Sequence, residues 1–538
     1  MGEAAVALED SVGDRGIGAR QLHAQPYNLT GRKIAIGQVE VGRPQAVGLD
    51  KGTWYGTFLN VVGAFYRDRP AVANEHLDAH AQLVAMVMVS QDKRLRGVAP
   101  GAHLFSAALG SLQGAGQPEE CLTTQHVAEQ NGNDVRAINF SFGDALARDP
   151  RENARLDGNA LLTQCVDWSA RVHDTLYSIA GNQGRGGIQI PTDNYNGISI
   201  AYTARRNGEF AKVDFANLSA RPEGIGRRLI RREINFGPRR SISLVAPGSQ
   251  IELLDLDGDV TRASGTSFAA PHLTATVALL QEYGDRVLHQ LRGTYPDPQL
   301  PPWSDASRQH EVMKAVLLNS AEKVRDPGDG NLLGMERTVM TKTGDTWLDS
   351  DAASDPEIPL DLQLGTGQLD AFRAYQQFAA GQWSPDALVP PRGWDYREIE
   401  VRTARFYKLA QPLPAGSFAA ITIAWDRLVE LQDRDGDDRY DIGETFRDRG
   451  LNDLNVYLES IAGTGDRAIA CASASPTDSV EHIFCPVPQS GRYAIRVEFA
   501  RQVNEPTQVF AIAWWTAPVG FETPEPAGRF DPSELLEH

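Results

Sequence analysis

The stretch Gly265-Thr266-Ser267-Phe268-Ala269-Ala270-Pro271-His272 sets a small hydroxyl residue between a flexible glycine and an apolar run that continues to Leu280. The run predicts a buried helix with Ser267 at its start. The positive end of a helix dipole favours a group that carries negative charge in passing. That suits a nucleophile, and Pro271 inside the run is unusual for a plain helix. A second chemical candidate lies in Asp433-Arg434-Asp435-Gly436-Asp437-Asp438-Arg439-Tyr440-Asp441-Ile442-Gly443-Glu444. Counting Asp433 as position 1, acids stand at 1, 3, 5, 9 and 12: Asp433, Asp435, Asp437, Asp441 and Glu444. Hard oxygen ligands at that spacing wrap one Ca2+. Carboxylates this close also repel one another without a cation. The shorter run Asp255-Leu256-Asp257-Gly258-Asp259 reads as a turn.

The serine run resembles the Gly-Thr-Ser-x-Ala-x-Pro signature of subtilisin-like serine proteases (subtilases, peptidase family S8). Other blocks extend the resemblance in the order acid, histidine, serine. Thr30-Gly31-Arg32-Lys33-Ile34-Ala35-Ile36-Gly37-Gln38-Val39-Glu40-Val41-Gly42 is similar to the family's acid segment, with Glu40 where the family has Asp and Gln38 at an apolar position. His80-Ala81-Gln82-Leu83-Val84-Ala85, followed by Gly97-Val98-Ala99-Pro100, is similar to the histidine segment. Ile138-Asn139-Phe140-Ser141-Phe142-Gly143 resembles the edge that binds the substrate backbone, and Ser178-Ile179-Ala180-Gly181-Asn182-Gln183-Gly184 the oxyanion turn. Phe215–Pro222, Leu244–Gly248, His310–Ala321 and Gly365–Ala371 continue the likeness, so that it spans roughly residues 15–380.

The resemblance implies catalytic roles for Glu40, His80, Ser267 and Asn182, and substrate-binding roles for Ser141, Phe142 and Gly143. Asp50 and His76 are the neighbouring alternatives to the acid and the base. A carboxylate must orient the imidazole and stabilise the imidazolium that forms. Glu40 carries that charge on a side chain longer by one methylene, so backbone or ring must shift to make room.

The elements that position these groups follow from length and pattern. At 538 residues the chain exceeds one core and predicts two or more domains. The resemblance implies a doubly wound α/β domain with a parallel sheet over 1–385. Pro385 and Pro390-Pro391 predict a linker over 386–396. Beyond it, alternating segments at 397–409, 419–425, 455–458, 493–499 and 509–515 predict a β-sandwich over 397–520, similar to the jelly-roll domain that follows many subtilase catalytic domains. The acidic loop lies inside this part. Asp438 stands at loop position 6, where EF-hand loops have Gly, and the flanks predict strands. Residues 521–538 read as a tail, ending in Leu536-Glu537-His538, which resembles the join to a histidine tag.

The cysteines suggest the pairs Cys121 with Cys165 and Cys471 with Cys485, one of three connectivities, with buried free thiols the other possibility. Met1-Gly2 opens no signal-peptide pattern. A secreted, mature enzyme without its signal and propeptide is therefore expected, with a cytoplasmic one as the alternative. A net charge of −18 excludes nucleic acid and anionic membrane as main partners, and no apolar run reaches spanning length. Arg227, Arg228, Arg231, Arg232, Arg239 and Arg240 crowd one insertion; docking, an acidic substrate or a solvated hairpin are all open. The expected protein is a monomeric serine endopeptidase acting on protein or peptide substrates with a Glu-His-Ser triad and bound Ca2+. An inactive subtilase-fold binding protein is the alternative.

Overall fold

The computed structural model describes residues 6–51, 59–110, 116–181, 189–206, 208–213, 237–292, 301–462 and 467–518. Asn182, the block 215–222, four of the six clustered arginines and the 521–538 tail lie outside the described residues.

Val-, Ile- and Ala-rich runs with both faces apolar form the strands of a mainly parallel sheet, as expected where helices cover both sides. In chain order these are β1 (Ala35–Glu40), β2 (Val61–Tyr66), β3 (His103–Ala108), β4 (Val135–Phe140), β5 (Leu176–Ala180), β6 (Ile198–Arg206), β7 (Glu209–Lys212) and β8 (Leu244–Pro247). The spatial order is β2-β3-β1-β4-β5-β6, with β7 antiparallel and β8 parallel against β6. The order reverses between β1 and β4. In such sheets the crevice beyond the strand carboxyl ends at this switch point is where ligands bind. Glu40 ends β1, and Ser141 follows β4 directly.

Helices α1 (Ala79–Val89), α4 (Thr266–Leu291) and α5 (His310–Ser320) pack on one face of the sheet. Helices α2 (Gln117–Ala128) and α3 (Leu161–His173) pack on the other. Alternation along β1 follows this division: Ile36 joins the core beneath α1 and α4, while Ala35 and Val39 join the core beneath α2 and α3. Helix α6 (Ala371–Ala379) closes this half.

The C-terminal half is a sandwich of two sheets. One runs β11 (Ala404–Leu409), β18 (Arg492–Arg501), β15 (Asp453–Ile461), β16 (Arg467–Ser473), with Leu388–Val389 at its edge. The other runs β10 (Arg392–Glu400), β19 (Thr507–Thr516), β12 (Phe418–Trp425), β17 (Val480–Pro486). Inward-facing Ile421, Ile423, Val456, Leu458, Ile495 and Ile512 fill the space between them. Disulfide Cys471–Cys485 joins the two sheets, and Cys121–Cys165 joins α2 to α3. Both expected pairings are present.

Two expectations need correction. The stretch 386–396 is not a free linker: β10 begins at Arg392 and pairs with β19 from its first residue. Gln377 of α6 donates to the carbonyls of Gly393 and Trp514, and Trp394 to that of Phe378. The prolines signal a break in strand pairing, not a break in packing. The acidic loop does not belong to the sandwich sheets either. It tips a separate two-stranded hairpin, β13 (Leu428–Gln432) with β14 (Thr445–Gly450). Val429, Tyr440 and Phe446 of this hairpin pack on Trp168 and the Cys121–Cys165 bridge.

Candidate functional site

Gln38 and Glu40 alternate onto the face of β1 that meets α1. Asp78 caps α1 by accepting the Ala81 N–H at 2.9 Å. The helix therefore starts at Ala79 and presents His80 on its first turn. The Gln38 amide donates to the Ala81 carbonyl at 3.0 Å, which ties the start of α1 to β1 beside the imidazole. Glu40 is buried and accepts its neighbour's N–H, that of Val41, on Oε2 at 3.1 Å. This fold-back takes up the extra methylene and leaves Oε1 3.1 Å from Nδ1 of His80. Oε1 receives no hydrogen bond from the described residues, so the approach to His80 is an ion contact. Burial alone would lower the imidazole pKa, but the charge and contact of Glu40, with Asp78 behind them, raise it above the ordinary histidine value.

Neither neighbouring alternative fits this geometry. Asp50 is bound by the Arg43 guanidinium through two 2.7 Å contacts and accepts the Ala46 and Asn74 amides. Burial would raise its carboxyl, but Arg43 and those amides hold it below the usual range. His76 stacks on Tyr66.

Ser267 is the second residue of α4, whose N-cap Gly265 has φ 150° and ψ 168°, a region reserved for glycine. Phe268 sets its ring edge-on to His80 at 5.6 Å, so the residue after Ser267 reaches the histidine. Pro271 has no N–H to give the Ser267 carbonyl four residues back. Ser141 Oγ supplies that donor at 2.9 Å, and is itself held by the Asn139 amide at 2.8 Å. In return the Ser267 hydroxyl donates to the Ser141 carbonyl at 3.2 Å.

The Ser141-Phe142-Gly143 edge divides by parity. Ser141 faces α4. Phe142 turns to the opposite side, is buried, and stacks on Phe140 at 5.0 Å. Its side chain is thus core, and its backbone can belong to a binding edge. At Gly143 a Cβ would meet Gln189 Oε1 at 2.8 Å and the Ile190 carbonyl at 2.9 Å.

In the acidic loop, Asp433 accepts the amides of Asp435, Gly436 and Asp438, and Glu444 those of Arg434 and Asp441. These bonds bring carboxylate oxygens of Asp433, Asp435 and Glu444 within 4.8 Å of one another. Asp438, at loop position 6, adopts φ 61°, the left-handed turn usually given to Gly there. The charge of Asp437 raises Asp435 above its ordinary pKa. Asp437 instead accepts the Arg439 amide at 2.8 Å, and Asp441 is exposed. The Asp255–Asp259 run forms a hairpin turn closed on Asp255 Oδ1. Of the described arginines in the basic insertion, Arg239 lies over the Tyr195 ring and Arg240 pairs with Asp351.

Sequence reasoning missed Gln38, Asn139 and Asp78 as positioning groups. Period-2 alternation marks Gln38 as facing the same way as Glu40, which was the available signal.

The chain has relatives among known proteins. The model of the Subtilase family matches residues 59–335, over half of the chain. The chain belongs to the Subtilase family. Glu40 lies before the matched segment. The thermostable alkaline protease of Halalkalibacterium halodurans is 25% identical over 281 residues, which span 51% of this chain and 64% of that protein. Subtilisin DY of Bacillus licheniformis is 25% identical over 268 residues, 49% of this chain and 81% of that one. A solved cold-adapted subtilisin-like serine proteinase is 16% identical, with TM-score 0.36, covering 58% of this chain and 89% of that one. No helix among the described residues is long and apolar enough to cross a membrane.

Proposed function

We propose that the protein is a serine endopeptidase that cleaves protein or peptide substrates through an acyl-enzyme. The observation that carries this reading is the 3.1 Å approach of Glu40 to His80 beside the helix-start serine. Ser267 Oγ leaves the Ser141 carbonyl, attacks the substrate carbonyl and passes its proton to His80. Glu40 holds the Nδ1–H and stabilises the imidazolium. His80 returns the proton to the leaving amine, and a water then repeats the sequence to release the acid. The developing oxyanion is held by the Ser267 N–H at the start of α4 and by the Asn182 amide, one such donor being worth roughly 2.7–4 kcal/mol. The backbone of Ser141–Gly143 lines the substrate.

The acidic hairpin loop takes one Ca2+ in this reading, with Asp433, Asp435 and Glu444 as the clustered ligands and Asp437 and Asp441 completing the set. Bound calcium supplies charge neutralisation, not catalysis. Secretion is proposed on the two disulfides, which persist in oxidising compartments. The sandwich, with its likeness to a jelly roll, is assigned a stabilising role.

The deciding experiment is labelling by a fluorophosphonate together with peptide cleavage, on wild type and Ser267→Ala. Labelling and cleavage that vanish together in Ser267→Ala are expected. A folded wild type that neither labels nor cleaves would make the chain an inactive binding protein.

A further inference from the structure

A second cluster of ionisable groups sits far from Ser267, where α5 enters the interface with the sandwich. His310, the first residue of α5, is 3% exposed, and both ring nitrogens face carboxylates. Nδ1 stands 3.0 Å from Asp174 Oδ1 and 3.2 Å from Glu311 Oε2. Nε2 stands 3.1 Å from Asp426, contributed by the residue after β12. Glu311 is 6% exposed. Its Oε1 has the Tyr396 hydroxyl at 3.4 Å, but Oε2, the atom aimed at Nδ1, receives no hydrogen bond.

Either a second ring proton or a cation must stand between Nδ1 and the two carboxylates that face it. With its one proton on Nε2 toward Asp426, the Nδ1 lone pair faces two carboxylates. Three buried or half-buried carboxylates then have one buried ammonium nearby, that of Lys314 on the next turn. Uncompensated charge in such a place is destabilising. A divalent cation at the triangle of Nδ1, Asp174 Oδ1 and Glu311 Oε2 would close both accounts. At about 2.1 Å from Nδ1 and a carboxylate oxygen it would see the 3.0 and 3.2 Å edges at roughly 90–100°, and the three ligand atoms lie within 4.8 Å of one another.

We infer that Asp174, His310 and Glu311 form a binding site for a first-row divalent cation such as Zn2+ or Mn2+, with Asp426 orienting the imidazole from the sandwich side. One imidazole with two carboxylates suits these ions better than it suits Ca2+. Asp426 takes the Nε2–H, the usual carboxylate partner of a metal-bound histidine. Asp174 keeps a side-chain exposure of 34%, which gives a path for the ion and for water ligands. The site joins the two halves of the chain, because its orienting residue and its ligands come from different halves.

The test is calorimetric titration of the full-length, chelator-stripped protein with Zn2+, in excess Ca2+ so that the acidic loop is filled. One equivalent should bind, with a Kd well below about 100 µM. Glu311→Gln and Asp426→Asn should each weaken it by about 10-fold or more. Both variants keep side-chain shape, and circular dichroism checks that they fold. Absence of a Zn2+ site in folded wild type, or equal affinity in wild type and both variants, overturns the inference and leaves protons as the neutralising charge.

Discussion

Replacing Glu40 tests the site most sharply, because the substitution can remove charge and length separately. Glu40→Gln keeps shape and loses charge. At the observed 3.1 Å, an ion contact in an effective dielectric near 20 is worth about 5 kcal/mol. The His80 side chain is 39% exposed, and solvent screening cuts the figure to about 2–4 kcal/mol. The imidazolium forms only on the way to the transition state, so the loss falls on kcat, roughly 30- to 1,000-fold. Glu40→Asp keeps charge but shortens the reach by one methylene. Its carboxylate then falls beyond hydrogen-bond distance of Nδ1, and activity should drop as well. The assay is kcat/KM on a chromogenic peptide across pH. The general base must be neutral, and the raised His80 pKa puts the acid limb above the ordinary value of about 6.5. Glu40→Gln removes the main raising influence, so its limb should move to lower pH as the plateau falls. Stability carries the matching sign. The raised folded-state pKa contributes stability that is full below the unfolded value and is lost as pH rises through the folded one. Glu40→Gln should therefore cost most stability in acid and least in alkali. A Glu40→Gln enzyme within threefold of wild type, with an unmoved acid limb, would refute this account of the triad.

Three further outcomes follow from the packing. Ser141→Ala removes the hydroxyl that donates to the Ser267 carbonyl and should cost about 1–3 kcal/mol of stability in thermal melts; an unchanged melt would show that this bond does not support the serine. A chelator should remove about 2.7 kcal/mol if calcium stands at a hundredfold excess over Kd, and Asp435→Ala with Glu444→Ala should reproduce this; because the loop hairpin packs on α3, hydrogen exchange should rise in α2 and α3 as well as in the hairpin. Removing Cys121–Cys165, which closes 44 residues, should cost about 4 kcal/mol by denaturant unfolding and should loosen the hairpin docked on it.

What could be read from the chain depended on the range of each constraint. Ser267 was legible because its constraints, Gly265 before it and Pro271 after it, lie within one helical turn. The acidic loop was legible for the same reason, since its bonds close within twelve residues. Gln38 looked merely out of place, because the carbonyl it serves, Ala81, lies 43 residues away. Pro390-Pro391 suggested a linker because proline interrupts ladders, whereas the bonds of Gln377 to Gly393 and Trp514 come from distant parts of the chain. Phe142 was legible only in part: its size drew notice, and its alternation with Phe140 turns the ring into the core. The docking of β13 and β14 on α3 has no local signature.

Helix α5 has all eleven of its residues buried, and β19 packs across it. Asn319 of this helix accepts from Thr422 and donates to Gln377. During synthesis the helix ending at Ser320 is made long before the strand beginning at Thr507. At about 5–20 residues per second that interval lasts roughly 10–40 seconds. Until it ends, the outer face of α5 lacks the cover of β19 and has only that of β12. The ribosome thus delivers the nucleophile early and part of its structural support late.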